Sequence, residues 1–342
     1  MPKRAKNLWA DVVSYENLFA AFRRVRKGKR FHPAVLKMYY SLDDTLFGIR
    51  ERLLAGTWTP APYREFWVQE RKPRLIHAPS APDRVVHWAL MLQAAPVFER
   101  RFIADSYACR EGKGAHIASQ RAREYIRAAS GKWGNPYILK ADISKYFPSI
   151  DQAVLMRRVE RVIADKHVLW LFDTLIRNGK AGYGVGIPIG ALTSQWLANL
   201  YLDALDHYIK DDLGIQYYLR YMDDFIVIGP SKAWCRTVLD QVEKFLTCAL
   251  HLRLNPKTGI WPVTHGLDFV GYRHWSDHVL PRKRTVKRAR AQFRDMKRLY
   301  AKGRIDLEYV RPRVASFTGY MKHCDGYQSL EHMLEEFVLI RP

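Results

Sequence analysis

The sequence predicts an α+β protein in which helices cover one face of an antiparallel sheet, and three observations carry that expectation. Residues 135–275 read strand, helices, strand hairpin, helix, strands, which is close to a split βαβ arrangement. Residues 7–55, and the chain from about 280 to its end, repeat apolar positions at helical spacing. A 48% apolar composition with no unbroken apolar run of eighteen residues supplies cores for two or three subdomains and offers no membrane span.

Taken in order, "YENLFAAFRRV" and "LDDTLFGIRERLLAG" predict helices, with Gly56 as the stop. "TWTPAPYREFWVQERKPRLIHAPS" alternates aromatic and branched residues with polar ones and is strand-rich. "DRVVHWALMLQAAPVFERRF" returns to helical period, and the glycine-containing loop "SYACREGKGAH" opens the helix "IASQRAREYIRAAS". "NPYILKADISKYFPSID" predicts a strand ending near Asp142, then a turn, then one long helix over "DQAVLMRRVERVIADKHVLWLFDTLI". After the glycine-rich "GKAGYGVGIPIG" comes the helix "SQWLANLYLDALDHYIKDDL", with Leu197, Tyr201, Ala204 and Tyr208 on one stripe. "YYLRYMDDFIVIG" predicts a strand hairpin, "AWCRTVLDQVEKFLTCAL" a helix, and "LRLN", "GIW" and "LDFVGYRHW" strands.

A formal charge of +22 opposes compaction unless a polyanion belongs to the working state, and the basic residues cluster in "FRRVRKGKR", in 282–304 and in "RPRV". Aromatic residues accompany the clusters, which favours nucleic acid over a membrane surface. The N-terminal residues lack the apolar stretch of a secretory signal, so the expected location is cytoplasmic. Cys109, Cys235, Cys248 and Cys324 are widely spaced, without a metal-ligand pattern, and are expected to be reduced thiols packed as small apolar groups.

Turn chemistry alone accounts for Met222 and Asp223 between two strands. Asp224 adds a second adjacent carboxylate, a pairing that favours a nearby cation. Asp142 ends a neighbouring predicted strand. Three carboxylates on adjacent strand ends suit two magnesium ions, which take hard oxygen ligands and share them with substrate phosphates.

"ADISKYF", "GIPIGALTSQWLANLYL", "YMDD", "LRLNPKT" and "FVGY" follow the order and spacing of the palm motifs of reverse transcriptases, and almost the whole chain resembles that family. Pro188, Ile189 and Gly190, where most members carry Pro-Gln-Gly, followed by Ser194 and Gln195 in place of Ser-Pro, resemble the reverse transcriptases of diversity-generating retroelements. The resemblance implies a right-hand polymerase: fingers over 1–135, an RRM-like palm over 136–279 and a basic helical thumb over 280–342. It implies copying of a template-repeat RNA into cDNA from deoxynucleotides, with errors opposite adenine. It also implies a small basic helical-bundle partner, the accessory variability determinant, pentameric in known members. Retron-type and phage-defence reverse transcriptases, and a non-catalytic RNA-binding scaffold, are the rival readings.

Within the resemblance, Asp142 and Asp223 are direct metal ligands, Asp224 a supporting one, and the Ile143 carbonyl completes a shell around Mg2+, for which Mn2+ would substitute. Phe147 matches the steric gate under the nucleotide sugar, with Tyr146 as the other candidate and a core role as the alternative. Ile189, beside Gly190 and Gln195 in the nucleotide-binding set, cannot donate a hydrogen bond where relatives carry glutamine, which lowers discrimination between right and wrong pairs. Arg74 and Arg84 match triphosphate-holding positions, Lys257 a general acid toward pyrophosphate, and Gly271 and Tyr272 the primer grip. Surface solvation is the alternative for both arginines and for Lys257.

Overall fold

The structure is a computed structural model that describes residues 3–69, 73–177 and 182–341; parts of the predicted "VQERK" and "GKAGYG" segments lie outside them. The chain begins with α1 (Trp9–Val12), α2 (Tyr15–Arg26), α3 (Pro33–Tyr40) and α4 (Leu42–Leu54). The hairpin β1 (Arg64–Val68) and β2 (Arg74–Ala78) and the helices α5 (Ala81–Glu99) and α6 (Ala115–Trp133) follow. Next come β3 (Tyr137–Asp142), the single turn α7 (Tyr146–Ser149), α8 (Gln152–Glu160), α9 (Lys166–Arg177) and α10 (Leu192–His207), which runs into a π turn at Tyr208–Asp212. β4 (Tyr218–Tyr221), β5 (Asp224–Gly229), α11 (Lys232–Leu250) and β6 (Gly259–Pro262) lead to β7 (Leu267–Phe269), β8 (Tyr272–His274) and β9 (Val279–Pro281). α12 (Lys283–Ala301), α13 (Leu307–Met321) and α14 (Tyr327–Glu335) complete the series.

Contacts divide the chain into two compact units: residues 1–109, 142–214 and 241–256 form the first, and residues 110–141, 215–240 and 257–342 the second. In the first, α5 is central. Its Val85, Val86, Ala89, Leu90, Ala94 and Phe98 are wholly buried, and Leu18, Ala21 and Phe22 of α2 are buried with them. The Asn17 amide donates to the Val12 and Ala89 carbonyls at 3.0 Å each, satisfying backbone that the packing removes from water. Ser80 caps α5, its hydroxyl accepting from the Asp83 amide at 3.2 Å.

The second unit holds a four-stranded sheet of order β4-β5-β3-β6 and a separate antiparallel β7-β8-β9 sheet. α6 packs on β4 and β5, where Tyr125 meets Tyr217 edge to face at 5.4 Å. The last three helices enclose their own core of Phe293, Met296, Val310, Phe317, Met321 and Met333.

Three sequence expectations need correction. The single long helix over 151–176 is broken between α8 and α9, because Asp165 works as a double cap. Its Oδ1 accepts from the His167 and Val168 amides at 3.1 and 3.3 Å, and its Oδ2 from Leu8 and Trp9 at 2.9 and 3.0 Å. "LRLN" is no strand; only Leu254 makes an isolated bridge, with Ile143. Of the four free thiols, Cys109 and Cys248 are exposed rather than packed inside.

Candidate active site

The "YMDD" segment is a tight hairpin. Tyr221 pairs with Asp224, leaving Met222 and Asp223 as a two-residue turn, with Met222 at φ 57. Arg220 is fully buried, and its Nη1 donates to the Met222 carbonyl at 2.8 Å, so an interior guanidinium holds the turn from beneath. On β3, Lys140 Nζ lies 3.0 Å from Asp224 Oδ2 and donates to the Asp268 carbonyl at 2.6 Å. The far end of β3 thus sits against the start of β5, its neighbour in the sheet.

Asp142, two residues beyond Lys140, is fastened by Asn255. The Asn255 amide N–H donates to the Asp142 carbonyl at 2.7 Å, and its Nδ2 to Asp142 Oδ2 at 3.0 Å. The Ser144 N–H donates to the Arg253 carbonyl at 2.9 Å, so the "LRLN" segment braces the chain on both sides of the buried Ile143. Lys145 adopts a left-handed conformation at φ 47 and turns the chain into α7. There Tyr146 is buried with its hydroxyl donating to the Ala198 carbonyl of α10, whereas Phe147 is half-buried, its ring 5.6 Å from that of Tyr146.

The loop before α10 is tied to the first hairpin. The His77 N–H of β2 donates to the Ile189 carbonyl at 2.8 Å, and Gly190 follows at φ +121. A Cβ there would lie 2.8 Å from Ile76 Cγ2, so glycine is the residue that lets the loop approach the strand. Arg74 is exposed at the start of β2, Arg84 half-buried in the first turn of α5, and Gln195 exposed in the first turn of α10. Buried His87 links the two helices through Nδ1 to Thr193 Oγ1 at 2.8 Å, and burial followed by the charge of Arg84 lowers its pKa to about 4.

In the second unit, Lys257 is exposed two residues before β6. Val270 and Gly271, at φ 42 and 102, make the two-residue turn between β7 and β8. The Gly271 carbonyl accepts from Tyr320 at 2.6 Å. Tyr272 is buried, its hydroxyl donating to the Tyr320 carbonyl at 3.0 Å, so its ring is committed to the interior while Gly271 is half-buried. His274 is wholly buried, with Nε2 2.7 Å from Ser119 Oγ, and burial lowers its pKa to about 4.

Among the described residues no group of three His, Cys, Asp or Glu side chains stands ready to hold a metal ion. The donor chemistry nevertheless fits magnesium, which keeps waters, binds through one or two carboxylates and takes its remaining oxygens from phosphates. Asn255 orients one oxygen of Asp142, and Lys140 balances the charge of Asp224. Sequence reasoning passed over Lys140, Arg220 and Asn255. Their only signal was proximity, in "KAD", "RYMDD" and "LNPK".

The architecture is that of the polymerase fold seen in telomerase. The structure of apo telomerase from Candida tropicalis matches at a TM-score of 0.51 and 11% identity, over 80% of this chain and 60% of that one. Residues 68–274 match the reverse transcriptase (RNA-dependent DNA polymerase) family, and the chain belongs to that family. Protein YkfC of Escherichia coli is 26% identical over 66% of this chain and 70% of its own length. The group II intron-encoded protein LtrA of Lactococcus lactis is 23% identical over 81% of this chain, which spans only 56% of that relative. Among the described residues no helix is long and apolar enough to cross a membrane.

Proposed function

We propose that the chain is an RNA-directed DNA polymerase that extends a 3′-hydroxyl with deoxynucleotides, and that it copies a template-repeat RNA with errors opposite adenine, as in a diversity-generating retroelement. The observation that carries the polymerase reading is the braced hairpin with Asp223 in its turn and Asp224 opening β5, next in the sheet to the strand that ends in Asp142. Asp142, Asp223 and the Ile143 carbonyl would hold the ions, and Asp224, already paired with Lys140, would support them. Two Mg2+ ions, or Mn2+ in their place, supply activation of the attacking hydroxyl and charge relief for the leaving pyrophosphate.

The chain's own groups have separable tasks. Asn255 fixes the Asp142 carboxylate. Phe147 is the better gate candidate, because Tyr146 is committed to the core. Arg74 and Arg84 bind the triphosphate, and Lys257 donates a proton to the departing pyrophosphate. Gly190 and Gln195 line the nucleotide, and the backbone at Gly271, propped by Tyr320 and the buried Tyr272, grips the primer. We assign residues 1–135, 136–279 and 280–342 to fingers, palm and thumb. The working partners are template RNA, the cDNA primer and product, dNTPs and a small basic accessory bundle, in the cytoplasm.

The adenine-directed reading rests on Ile189, half-buried, its carbonyl held by His77 and its side chain without a donor. A group II intron-like reading is favoured by the similarity to LtrA, and the retron-type reading is the other rival. Primer extension on an RNA template, with and without the accessory bundle, followed by sequencing of the products, separates them. Asp223→Asn is expected to abolish extension by at least ~10^3-fold, the scale of losing a central transition-state interaction. Ile189→Gln is expected to lower errors opposite adenine by roughly tenfold, equivalent to about 1.4 kcal/mol of discrimination. Accurate copying by the wild type would move the chain to the intron or retron branch. Function that survives Asp223→Asn would leave only a scaffold.

A further inference from the structure

In the first unit, the residues after α5, the end of α8, the last turns of α10 and the side of α11 surround a cavity of about 360 Å3. None of its lining residues belongs to the site described above. Three are arginines, Arg101, Arg158 and Arg161, set against Asp203 and the exposed Asp212. The Asp203 carboxylate is almost buried and lies 3.5 Å from His207 Nε2, which also bonds the Arg101 carbonyl at 3.0 Å, while His207 Nδ1 lies 2.6 Å from Asp211; the charge of Asp203 acts on Arg158 as well, so one carboxylate is set against three guanidiniums inside the cavity.

The arginines differ from solvated surface residues in two ways. Arg101 Nε is buried and has no hydrogen-bond acceptor among the described residues. Arg158 is half-buried, and burial first, then the like charge of Arg161, pushes its pKa below the ordinary guanidinium value. A buried donor without an acceptor, beside two crowded guanidiniums, is a site short of an oxyanion.

We propose that this cavity binds a phosphate group through Arg101, Arg158 and Arg161, and that the phosphate belongs to the backbone of the template RNA outside the copied stretch. Guanidinium forks match phosphate oxygens two at a time, and the acceptor missing at Arg101 Nε is what such a ligand brings. The choice of RNA rests on the proposed polymerase function; the phosphate chemistry does not.

The test uses the full chain and three variants, Arg101→Gln, Arg158→Gln and the exposed Arg161→Gln, each checked for an unchanged far-ultraviolet spectrum. Binding of a labelled structured RNA is measured over a salt series, and the melting temperature is measured with added inorganic phosphate. Arg161→Gln, on the surface, keeps the test alive if a more buried substitution disturbs folding. The expected result is affinity reduced roughly fivefold or more and a salt slope reduced by about one for each arginine removed. Arg158→Lys would keep the slope but not the full affinity. Primer extension on a short preformed primer–template should stay unchanged, and Asp223→Asn should bind RNA normally, so failure of this site and failure of the catalytic reading are told apart. Unaltered RNA binding together with a phosphate-induced stabilisation lost in the variants would keep the site and identify a small phosphate as its ligand. Unaltered RNA binding with no phosphate stabilisation in the wild type would overturn it.

Discussion

Replacing Gly190 with alanine probes how firmly the loop carrying Ile189 is held by the first hairpin. The added Cβ would lie 2.8 Å from Ile76 Cγ2 and 3.0 Å from the His77 carbonyl oxygen, and the φ of +121 is itself strained for a side chain. One neighbour is a branched side chain on a strand and the other is backbone, so neither yields without moving β2. An unfavourable backbone region costs about 1–3 kcal/mol, and a forced contact in packed surroundings adds about 1–3 kcal/mol. Taking the middle of both ranges gives about 4 kcal/mol. At about 2–4 °C per kcal/mol for larger domains, the melting temperature should fall by roughly 8–16 °C. Scanning calorimetry reads this directly. If the protein retains measurable fold at the assay temperature, the KM for dNTP should also rise, because the 2.8 Å bond from His77 to the Ile189 carbonyl no longer closes. A melting temperature within about 1 °C of wild type would show that the loop is not seated on β2 and would refute the reasoning.

Lys140→Met removes the ammonium 3.0 Å from Asp224, a pair with both side chains partly exposed, and should leave the carboxylates more attractive to cations. Half-saturating magnesium in primer extension, and in magnesium-induced thermal shift, is expected to fall by about fivefold, the equivalent of about 1 kcal/mol for a partly screened pair; an unchanged requirement would detach Lys140 from the metal site. Acid should destabilise the fold through His87 and His274, each with a pKa lowered to about 4. The unfolded chain takes up these protons near pH 6.5 and the folded chain only near 4, so the stability is complete above 6.5 and is lost as the pH falls between those values. The loss is about 2 kcal/mol per histidine by pH 5. Urea midpoints at pH 7 and pH 5 measure it, and His87→Asn should remove about half of the difference; superimposable curves would contradict the assignment.

The hairpin at Tyr221–Asp224 was legible because it is local: two apolar runs closing on a two-residue turn admit few alternatives. The N-terminal helices, the hairpin of β1 and β2 and the basic C-terminal helices were legible for the same reason, since periodicity and punctuation decide them. Asp165 was not, because its cap on α9 is also a cap on α1, more than 150 residues away in sequence, and only the fold reveals that one carboxylate starts two helices. "LRLN" has strand composition, yet its backbone serves Asp142 and Ser144 through single hydrogen bonds rather than a ladder. Lys140 and Arg220 looked like ordinary charges on short strands. Lys140 finds its partner on a neighbouring strand far along the sequence, and Arg220 bonds a carbonyl only two residues on, which comes within reach once the hairpin turn has formed.

The division of the chain has a consequence for how the protein is made. It passes from one compact unit to the other after residues 109, 141, 214, 240 and 256. Emerging from the ribosome, the first unit lacks its last segment until residue 256 has been synthesised, by which point two pieces of the second, residues 110–141 and 215–240, have already been made. The two units therefore do not follow one another along the chain as beads on a string would, and the second is completed only by residues 257–342. The nascent first unit should therefore stay vulnerable to proteases until residue 256 has emerged.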